Sequence, residues 1–338
     1  MNELMTLVKD KHAGVYGTRP DYGVEEAMDS AFVNEYRSTN AFLDFPKVTS
    51  NIDSLRDHLT SKSTNDVEGI YKIGNAMKVG VYRVDETDSL VGVILETKIG
   101  LWEPGQIYLY MKSTGQPDYY DMVVHGQIHK NLLYYSNHLI RNGILSGNVI
   151  KENHNENHIH VDAEARDEYK LYPLQDDVQY VWLNSFSRFG NAPKRDALIE
   201  QMKGELKASN LIVDLRNNAG EASKISVPIL RVIKKSGAKV YVLTNFGSGS
   251  NAEQTTLRLR NIKSTVHLGE RTYGAVAYGH NYGNTFTSPS GLFYFAPTDM
   301  KFNHFLKYEE VGVQPHIELD PNSDWIEQTL AIIHSREL

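Results

Sequence analysis

The sequence predicts an α/β protein with a mainly parallel sheet, together with a small antiparallel β-domain. Two observations predict this fold. Strand-like and helix-like runs alternate with short links from about residue 178 onward, which is typical of βαβ units around a parallel sheet. Short β-rich runs separated by glycine, asparagine, aspartate and proline begin at about residue 67, which is typical of an antiparallel meander or small barrel.

Composition limits the classes of function. The chain has 338 residues, 41% of them hydrophobic, which is enough for two domains or one large domain. Its formal net charge of -7 predicts no nucleic-acid partner. It contains no cysteine, which excludes disulfides, thiolate zinc sites and cysteine nucleophiles. A membrane helix needs about 18 apolar residues in a row. The sequence has no such run, so we predict no membrane span.

The first 66 residues are predicted to be a mainly helical segment. Residues 2–10 have the pattern of a short amphipathic helix, and 23–43 also look helical. A further helix is predicted in "SNIDSLRDHLTSKS", with Ser50 or Asn51 as its N-cap. The N-terminus lacks a basic region followed by an apolar stretch, so it is not a signal peptide. Because the chain begins inside a helical pattern, we expect that upstream sequence is missing.

Residues 67–175 are predicted to be the β-rich inserted domain. The strand-like runs are "VEGIYKIG", "MKVGVYRVD", "LVGVILETKIG", "GQIYLYMKS" and "YYDMVVHG". We expect this domain to line one side of a cleft or to select a substrate.

Residues 176–338 are predicted to be the α/β core. Its strands are "VQYVWLNSF", "NLIVDLRNN" and "KVYVLTN", and its helices are "APKRDALIEQMKGELKAS", "EASKISVPILRVIKKSG" and "AEQTTLRLRNI". Sites in such sheets lie at the carboxyl ends of the strands, where "DLRNNAGE" and "TNFGSGSNAE" fall.

Ser250 stands where a strand gives way to a helix. The backbone N–H of the next residue, Asn251, opens that helix and is a natural donor to an oxyanion. Most serines before helices are caps, however. The position alone therefore leaves both a nucleophile and a cap open.

Four motifs resemble those of one family of serine peptidases, the tail-specific (C-terminal processing) proteases and the tricorn core protease. "DLRNNAGE" resembles the family signature "DLRxNxGG", with Glu221 in place of the second glycine. The matching residues are Asp214, Leu215, Arg216, Asn218 and Gly220. "SNAE" resembles "SAAE" or "SASE", which places the nucleophile at Ser250 and not at Ser248. "LGERTYGAVAYG" and "YEEVGVQPHIELD" resemble two further blocks, the second with His316 in place of an aspartate.

The resemblance also indicates which residues assist the serine. The lysine of the tail-specific dyad corresponds here to Ala275, whose methyl group cannot accept a proton. The tricorn-like branch instead uses a histidine near the N-terminus and a glutamate in the last block. The resemblance thus implies His12 as the base and Glu309, in preference to Glu310, as the supporting carboxylate. It also implies an oxyanion hole formed by the backbone N–H groups of Gly220 and Asn251.

One departure concerns the residue before the histidine. The tricorn protease has a serine there that orients the histidine, and this chain has Lys11. We therefore expect Lys11 to point to solvent and Asp10 or Glu309 to orient His12.

The resemblance implies a crotonase-like core and a serine peptidase acting on a peptide or protein substrate, with no cofactor and no metal. Related bacterial proteins are commonly exported, which favours an extracytoplasmic location. An alternative stays open at this point. The same core occurs in retinoid-binding modules that bind hydrophobic ligands, so the chain is alternatively a catalytically inactive protein that binds a hydrophobic ligand or a peptide.

Overall fold

The computed structural model describes residues 10–84, 88–146, 149–153, 158–161 and 166–335. The helix predicted over 2–10 therefore lies outside the described residues, apart from Asp10. The α-helices are α1 (Val24–Met28), α2 (Ser30–Arg37), α3 (Asn40–Leu43), α4 (Ile52–Thr60), α5 (Arg188–Glu205), α6 (Ser223–Ser236), α7 (Asn251–Arg260) and α8 (Trp325–Ser335), and Asn303–Tyr308 is a 3-10 helix.

The strands are β1 (Gly14–Gly17), β2 (Gly69–Ile73), β3 (Met77–Arg83), β4 (Ser89–Thr97), β5 (Ile107–Ser113), β6 (Tyr119–His125), β7 (Leu132–Leu139), β8 (Ile144–Ser146), β9 (Val149–Lys151), β10 (Leu171–Gln175), β11 (Val178–Trp182), β12 (Asn210–Asp214), β13 (Lys239–Thr244), β14 (Val266–Gly269), β15 (Phe286–Thr287), β16 (Phe293–Ala296) and β17 (Ile317–Glu318).

The chain divides into two compact units. The first contains residues 1–154 and 281–299, and the second contains 155–280 and 300–338. This division differs from the three predicted segments, because the described residues before 67 pack with the β-rich region. Leu59 on α4, for example, shares a buried cluster with Ile70 and Leu95 on the sheet.

The first unit is built on an eleven-stranded antiparallel sheet. Its strand order is β15-β16-β1-β7-β6-β5-β4-β3-β2-β9-β8. The sheet is larger than the predicted small β-domain because β1 inserts between β16 and β7, where Val15 pairs with both Phe295 and Tyr134. Pairing between segments so far apart in sequence leaves no local pattern, which is why the sequence places β1 in the predicted helical segment and β16 in the predicted core.

A buried lysine lies among aromatic rings in this first unit. Lys130 is 8% exposed. Its Nζ donates a hydrogen bond of 2.9 Å to Gln106 Oε1. The Nζ lies 4.0, 4.3, 5.0 and 5.7 Å from the ring centroids of Phe45, Trp102, Phe42 and Tyr36. Burial lowers the pKa of Lys130 to about 7. The ring faces oppose that effect because they attract a cation.

The second unit contains the parallel sheet. Five of its six strands, in the order β11-β12-β13-β14-β17, pair in parallel, and β10 joins the edge in an antiparallel sense. The predicted mainly parallel sheet is thus present in this unit, whereas the larger sheet of the chain is antiparallel. The alternation of β11, α5, β12, α6, β13 and α7 follows the order predicted from the sequence.

Helices cover both faces of the parallel sheet. On β12, Leu211 and Val213 pack in a cluster with residues of α5, α6 and α7. Ile212, between them, packs with Trp325 and Ile333 of α8. Successive side chains of a strand point to opposite faces, so a strand covered on both sides is apolar throughout. None of the described helices has the length and apolar character needed to cross a membrane.

Candidate active site

Two loops meet at the carboxyl edge of the parallel sheet. The first follows β12 and covers residues 215–221, and the second follows β13 and covers 245–250. Gly249 N–H donates to the Asn218 carbonyl at 2.9 Å. Asn217 N–H donates to Asn245 Oδ1 at 2.8 Å. Because neighbouring parallel strands end at the same edge, the motifs "DLRNNAGE" and "TNFGSGSNAE" lie side by side.

Ser250 occupies a strained turn between β13 and α7. Its φ of 51 and ψ of -119 lie in a region that non-glycine residues rarely adopt. Such a conformation costs on the order of 1–3 kcal/mol and persists only where the surrounding structure imposes it. Residues 240–249 are all buried, whereas Ser250 is half-buried. A serine presented on a sharp strand-to-helix turn has the geometry of a nucleophile elbow.

Ser248, two residues earlier, has a different environment. Its side chain is fully buried. Its Oγ donates to the Leu215 carbonyl at 2.7 Å and accepts the Asn245 N–H at 3.1 Å. Ser248 is therefore engaged in holding the two loops together, and Ser250 is the serine of this pair that reaches the surface.

A buried glutamate holds the Ser250 turn. Glu253 is fully buried, and its Oε2 accepts the N–H groups of Ser250 at 2.8 Å and Ala275 at 2.9 Å. Its Oε1 accepts Thr272 Oγ1 at 2.5 Å and Gly274 N–H at 2.7 Å. Burial raises the pKa of Glu253 to about 7, although the four donors act in the opposite direction.

The sequence motifs assign no separate role to Glu253. A signal existed, since Ser250 and Glu253 have the S-x-x-E spacing of a capping box. That spacing predicts a bond from the glutamate to the Ser250 N–H. It does not predict the link to residues 272–275, because that link forms only in the folded unit.

Glu309 is the second buried carboxylate of this region. It is 7% exposed, and its Oε2 accepts the N–H groups of Val276 at 2.8 Å and Ala277 at 2.7 Å. Glu310 is exposed. Of the two candidates, Glu309 therefore points inward. Together, Glu253 and Glu309 accept the four consecutive N–H groups of residues 274–277.

Gly220 brings the first loop against the Ser250 turn. A Cβ at Gly220, whose φ is +93, would lie 2.6 Å from Asn251 N and 2.8 Å from Ser250 Cβ, so a side chain does not fit there. The Gly220 N–H donates to Asn218 Oδ1 at 2.8 Å. Of the two predicted oxyanion donors, Gly220 is thus already paired, and it would have to leave Asn218 to meet an oxyanion.

Asn251 is the other predicted donor. It is the first residue of α7, and the first N–H groups of a helix have no acceptor within it. Its side-chain amide pairs with Ser226 Oγ, with Nδ2 at 3.1 Å. The side chain is therefore turned to α6, and a role in binding an oxyanion would fall to the backbone.

Asp214 and Arg216 brace the end of β12. Arg216 Nη2 lies 2.6 Å from Asp214 Oδ2, and both side chains are almost completely buried. Tyr180 donates to the same carboxylate at 2.9 Å, and Arg216 Nη1 donates to the His158 carbonyl at 2.9 Å. These bonds satisfy both charges within the protein.

His12 lies in the first unit, whereas Ser250 and Glu309 lie in the second. The carboxylate of Asp10 accepts the N–H groups of His12 at 2.8 Å and Ala13 at 3.2 Å, and its other oxygen accepts Thr298 Oγ1 at 2.5 Å. Asp10 thus fixes the backbone that carries the histidine. Lys11 does not point freely to solvent, because its Nζ donates to the Asn137 carbonyl at 3.0 Å.

The comparisons with known proteins give structural similarity alone. No protein-family model matches the sequence, and no curated protein matches it. A provisionally named peptidase from Parabacteroides merdae ATCC 43184 is 18% identical with a TM-score of 0.36, over 48% of this chain and 64% of that one. The chain therefore spans less than two thirds of that protein.

Two further similar structures are proteases of the kind that the motifs resemble. The photosystem II D1 C-terminal processing protease is 16% identical with a TM-score of 0.35, over 90% of this chain and 84% of that one. The tricorn protease is 13% identical with a TM-score of 0.34, over 82% of this chain and 29% of that one. The chain is thus similar to members of this group.

Proposed function

We propose that this protein is a serine peptidase in which Ser250 attacks the carbonyl carbon of a peptide bond, on a core of the crotonase-like kind. The observation that supports this most strongly is the strained turn at Ser250. It is packed against Gly220 and held by the buried Glu253. Strain of this kind is typical of functional sites, where the surrounding structure maintains a reactive geometry.

The proposed reaction follows the roles of a serine–histidine–acid triad. His12 takes the proton of Ser250 Oγ as the Oγ bonds to the carbonyl carbon, and Glu309 is the supporting carboxylate. The Asn251 N–H, joined by Gly220 N–H if it leaves Asn218, stabilises the negative oxygen. The C–N bond then breaks, and the leaving amine takes the proton from His12. Water hydrolyses the acyl-enzyme by the same steps in reverse order.

We propose a base from the N-terminal segment because the position of the lysine in the tail-specific dyad holds no basic side chain in this protein. Ala275, where the tail-specific dyad has its lysine, is 5% exposed and contributes only its N–H, to Glu253. The substrate proposed is a peptide or protein, with no cofactor or metal. An extracytoplasmic location remains part of the proposal, from the resemblance to exported proteins.

One alternative has an observation in its favour. The Gly220 N–H is engaged by Asn218, and a glutamate at φ 100 stands where the family signature has its second glycine. A protein that binds a peptide or a hydrophobic ligand without cleaving it would tolerate both features, because it needs no oxyanion hole.

Reaction with a fluorophosphonate probe separates the two functions. We expect the wild type to form a covalent adduct and Ser250→Ala to form none. Ser248→Ala is the matched control, because it removes the neighbouring serine of the same loop. It should keep the adduct while lowering stability by about 1–3 kcal/mol, since two buried hydrogen bonds are lost. A folded wild type that does not react would favour the binding function.

A further inference from the structure

Thr272 lies where three segments of the second unit meet. Its side chain is fully buried. Its hydroxyl donates to Glu253 Oε1 at 2.5 Å and accepts the Val313 N–H at 2.8 Å. The other oxygen of Glu253 accepts the Ser250 N–H at 2.8 Å. A continuous path of three hydrogen bonds therefore runs from the backbone of Val313 to the backbone of Ser250.

The two partners of the Thr272 hydroxyl fix its direction. A backbone N–H can only donate, so the bond with Val313 uses the hydroxyl oxygen as an acceptor. The single hydroxyl hydrogen is directed at Glu253. The other partner of Glu253 Oε1 is the Gly274 N–H at 2.7 Å. Loss of the hydroxyl would therefore leave Oε1 with one of its two donors and deprive the buried Val313 N–H of its acceptor.

The segment 309–313, which carries the proposed supporting carboxylate, is packed closely against Thr272. A Cβ on Gly312, whose φ is +79, would lie 2.2 Å from the Thr272 carbonyl oxygen, so a side chain does not fit there. The Thr272 N–H donates to the Val313 carbonyl at 3.3 Å, next to the bond that the hydroxyl accepts. Backbone and side chain of Thr272 thus both fasten this segment to the residues that hold the Ser250 turn.

We infer that Thr272 is a positioning residue of the proposed peptidase. Its hydroxyl fixes the orientation of Glu253 and thereby holds the nucleophile Ser250 in register with the segment 309–313. The inference rests on the proposed function, because it concerns the same reaction. Since Thr272 is fully buried, it acts through Glu253 and not on the substrate. A displacement of about 1 Å at a reacting group can cost on the order of 100-fold in rate, so a bond this close to the turn is expected to matter.

The test compares two substitutions. Thr272→Val removes the hydroxyl and keeps the branched shape, whereas Thr272→Ser keeps the hydroxyl. The rate of fluorophosphonate labelling is measured against probe concentration on the folded proteins. In Thr272→Val we expect the maximal rate to fall at least about five-fold and the half-saturating concentration to change less than about two-fold, because the turn is displaced while the probe still binds. Thr272→Ser should restore the maximal rate to within about two-fold of the wild type, since it can make both hydrogen bonds.

Thr329→Val is the matched control. Thr329 is also a fully buried threonine of the second unit, and its hydroxyl donates to the Trp325 carbonyl at 2.6 Å within α8. Its replacement should lower the free energy of unfolding, measured by urea denaturation, and leave the maximal labelling rate unchanged. This comparison separates a loss of stability from a loss of position at Ser250.

Thr272→Ala, which also lacks the hydroxyl, takes the place of Thr272→Val if the valine variant does not fold. A folded variant without the hydroxyl that labels at the wild-type rate would overturn the inference. An equal loss of rate in Thr272→Ser or in Thr329→Val would overturn it as well, while the wild type still reacts. Failure of the folded wild type to react would overturn the proposed function itself, and the inference with it.

Discussion

The two units each bury an ionisable side chain, and they stabilise it by different means. In the first unit, Lys130 lies among four aromatic rings and donates one hydrogen bond to Gln106. In the second unit, Glu253 accepts three backbone N–H groups and one hydroxyl. Burial lowers the pKa of Lys130 to about 7 and raises the pKa of Glu253 to about 7.

The difference shows what each charge does for the molecule. The partners of Lys130 are side chains of the β-sheet unit, so its replacement should affect packing in that unit alone. One of the partners of Glu253 is the N–H of Ser250. A change at Glu253 should therefore alter both the stability of the second unit and the geometry of the proposed nucleophile.

The largest effect is expected from Glu253→Gln. A glutamine keeps the size of the side chain but offers one acceptor oxygen, and its NH₂ group would face N–H donors. Leaving several buried donors unpaired should lower the free energy of unfolding by about 3–5 kcal/mol, measured by urea denaturation. The rate of fluorophosphonate labelling should fall at least about ten-fold in the folded variant, because the Ser250 turn relaxes.

Glu327→Gln, an exposed glutamate of α8, is the control and should change the unfolding free energy by less than about 0.5 kcal/mol. Labelling by folded Glu253→Gln at the wild-type rate would show that Glu253 does not position Ser250.

Glu253 should also make the free energy of unfolding depend on pH below neutrality. Burial raises the pKa of Glu253 from 4.5 to about 7. Between these values the folded state binds more protons than the unfolded state, so stability is fully present below pH 4.5 and falls as the pH rises to 7. The fall due to this group should be on the order of 3 kcal/mol, and Glu253→Gln should lack it. A variant with the same slope as the wild type would contradict the assignment to Glu253.

The smallest of these effects is expected at Lys130. Burial lowers its pKa from 10.5 to about 7. Between these values the unfolded state binds more protons, so stability should rise from pH 7 to pH 10.5. A shift of this size alone would give a rise of roughly 5 kcal/mol. We expect only about 2 kcal/mol, because the aromatic rings hold the ammonium and reduce its penalty. Lys130→Met should remove the rise, measured by urea denaturation across that range, and keep wild-type labelling of Ser250. Altered labelling would show that the lysine also serves the site.

Local patterns predicted the second unit well. The alternation of strands and helices around β12 and β13 is encoded in runs of apolar residues and in helix periodicity, both of which can be read along the chain. The first unit was predicted less fully, because β1 and β16 are short and pair with each other across most of the sequence. Nothing near Val15 identifies its partner Phe295.

In the candidate site, too, contacts between segments that are distant in sequence could not be predicted from local patterns. Motif spacing selected Ser250 over Ser248, and in the structure Ser248 is fully buried whereas Ser250 is half-buried. The pairing of the Gly220 N–H with Asn218 was not foreseen, although asparagine side chains often bond to the backbone two residues away. The sequence did not predict that Glu253 holds the Ser250 turn, because three of its four hydrogen-bond donors lie in residues 272–275.

Mass spectrometry of the labelled protein tests the central claim most directly. After reaction of the wild type with a fluorophosphonate and digestion, the added mass should lie on Ser250, in the peptide that contains "GSGSNAEQTT". Fragmentation distinguishes Ser250 from Ser248, which lies in the same peptide. An adduct on Ser248 or on any other residue, or no adduct on the folded protein, would contradict the proposal that Ser250 is the nucleophile.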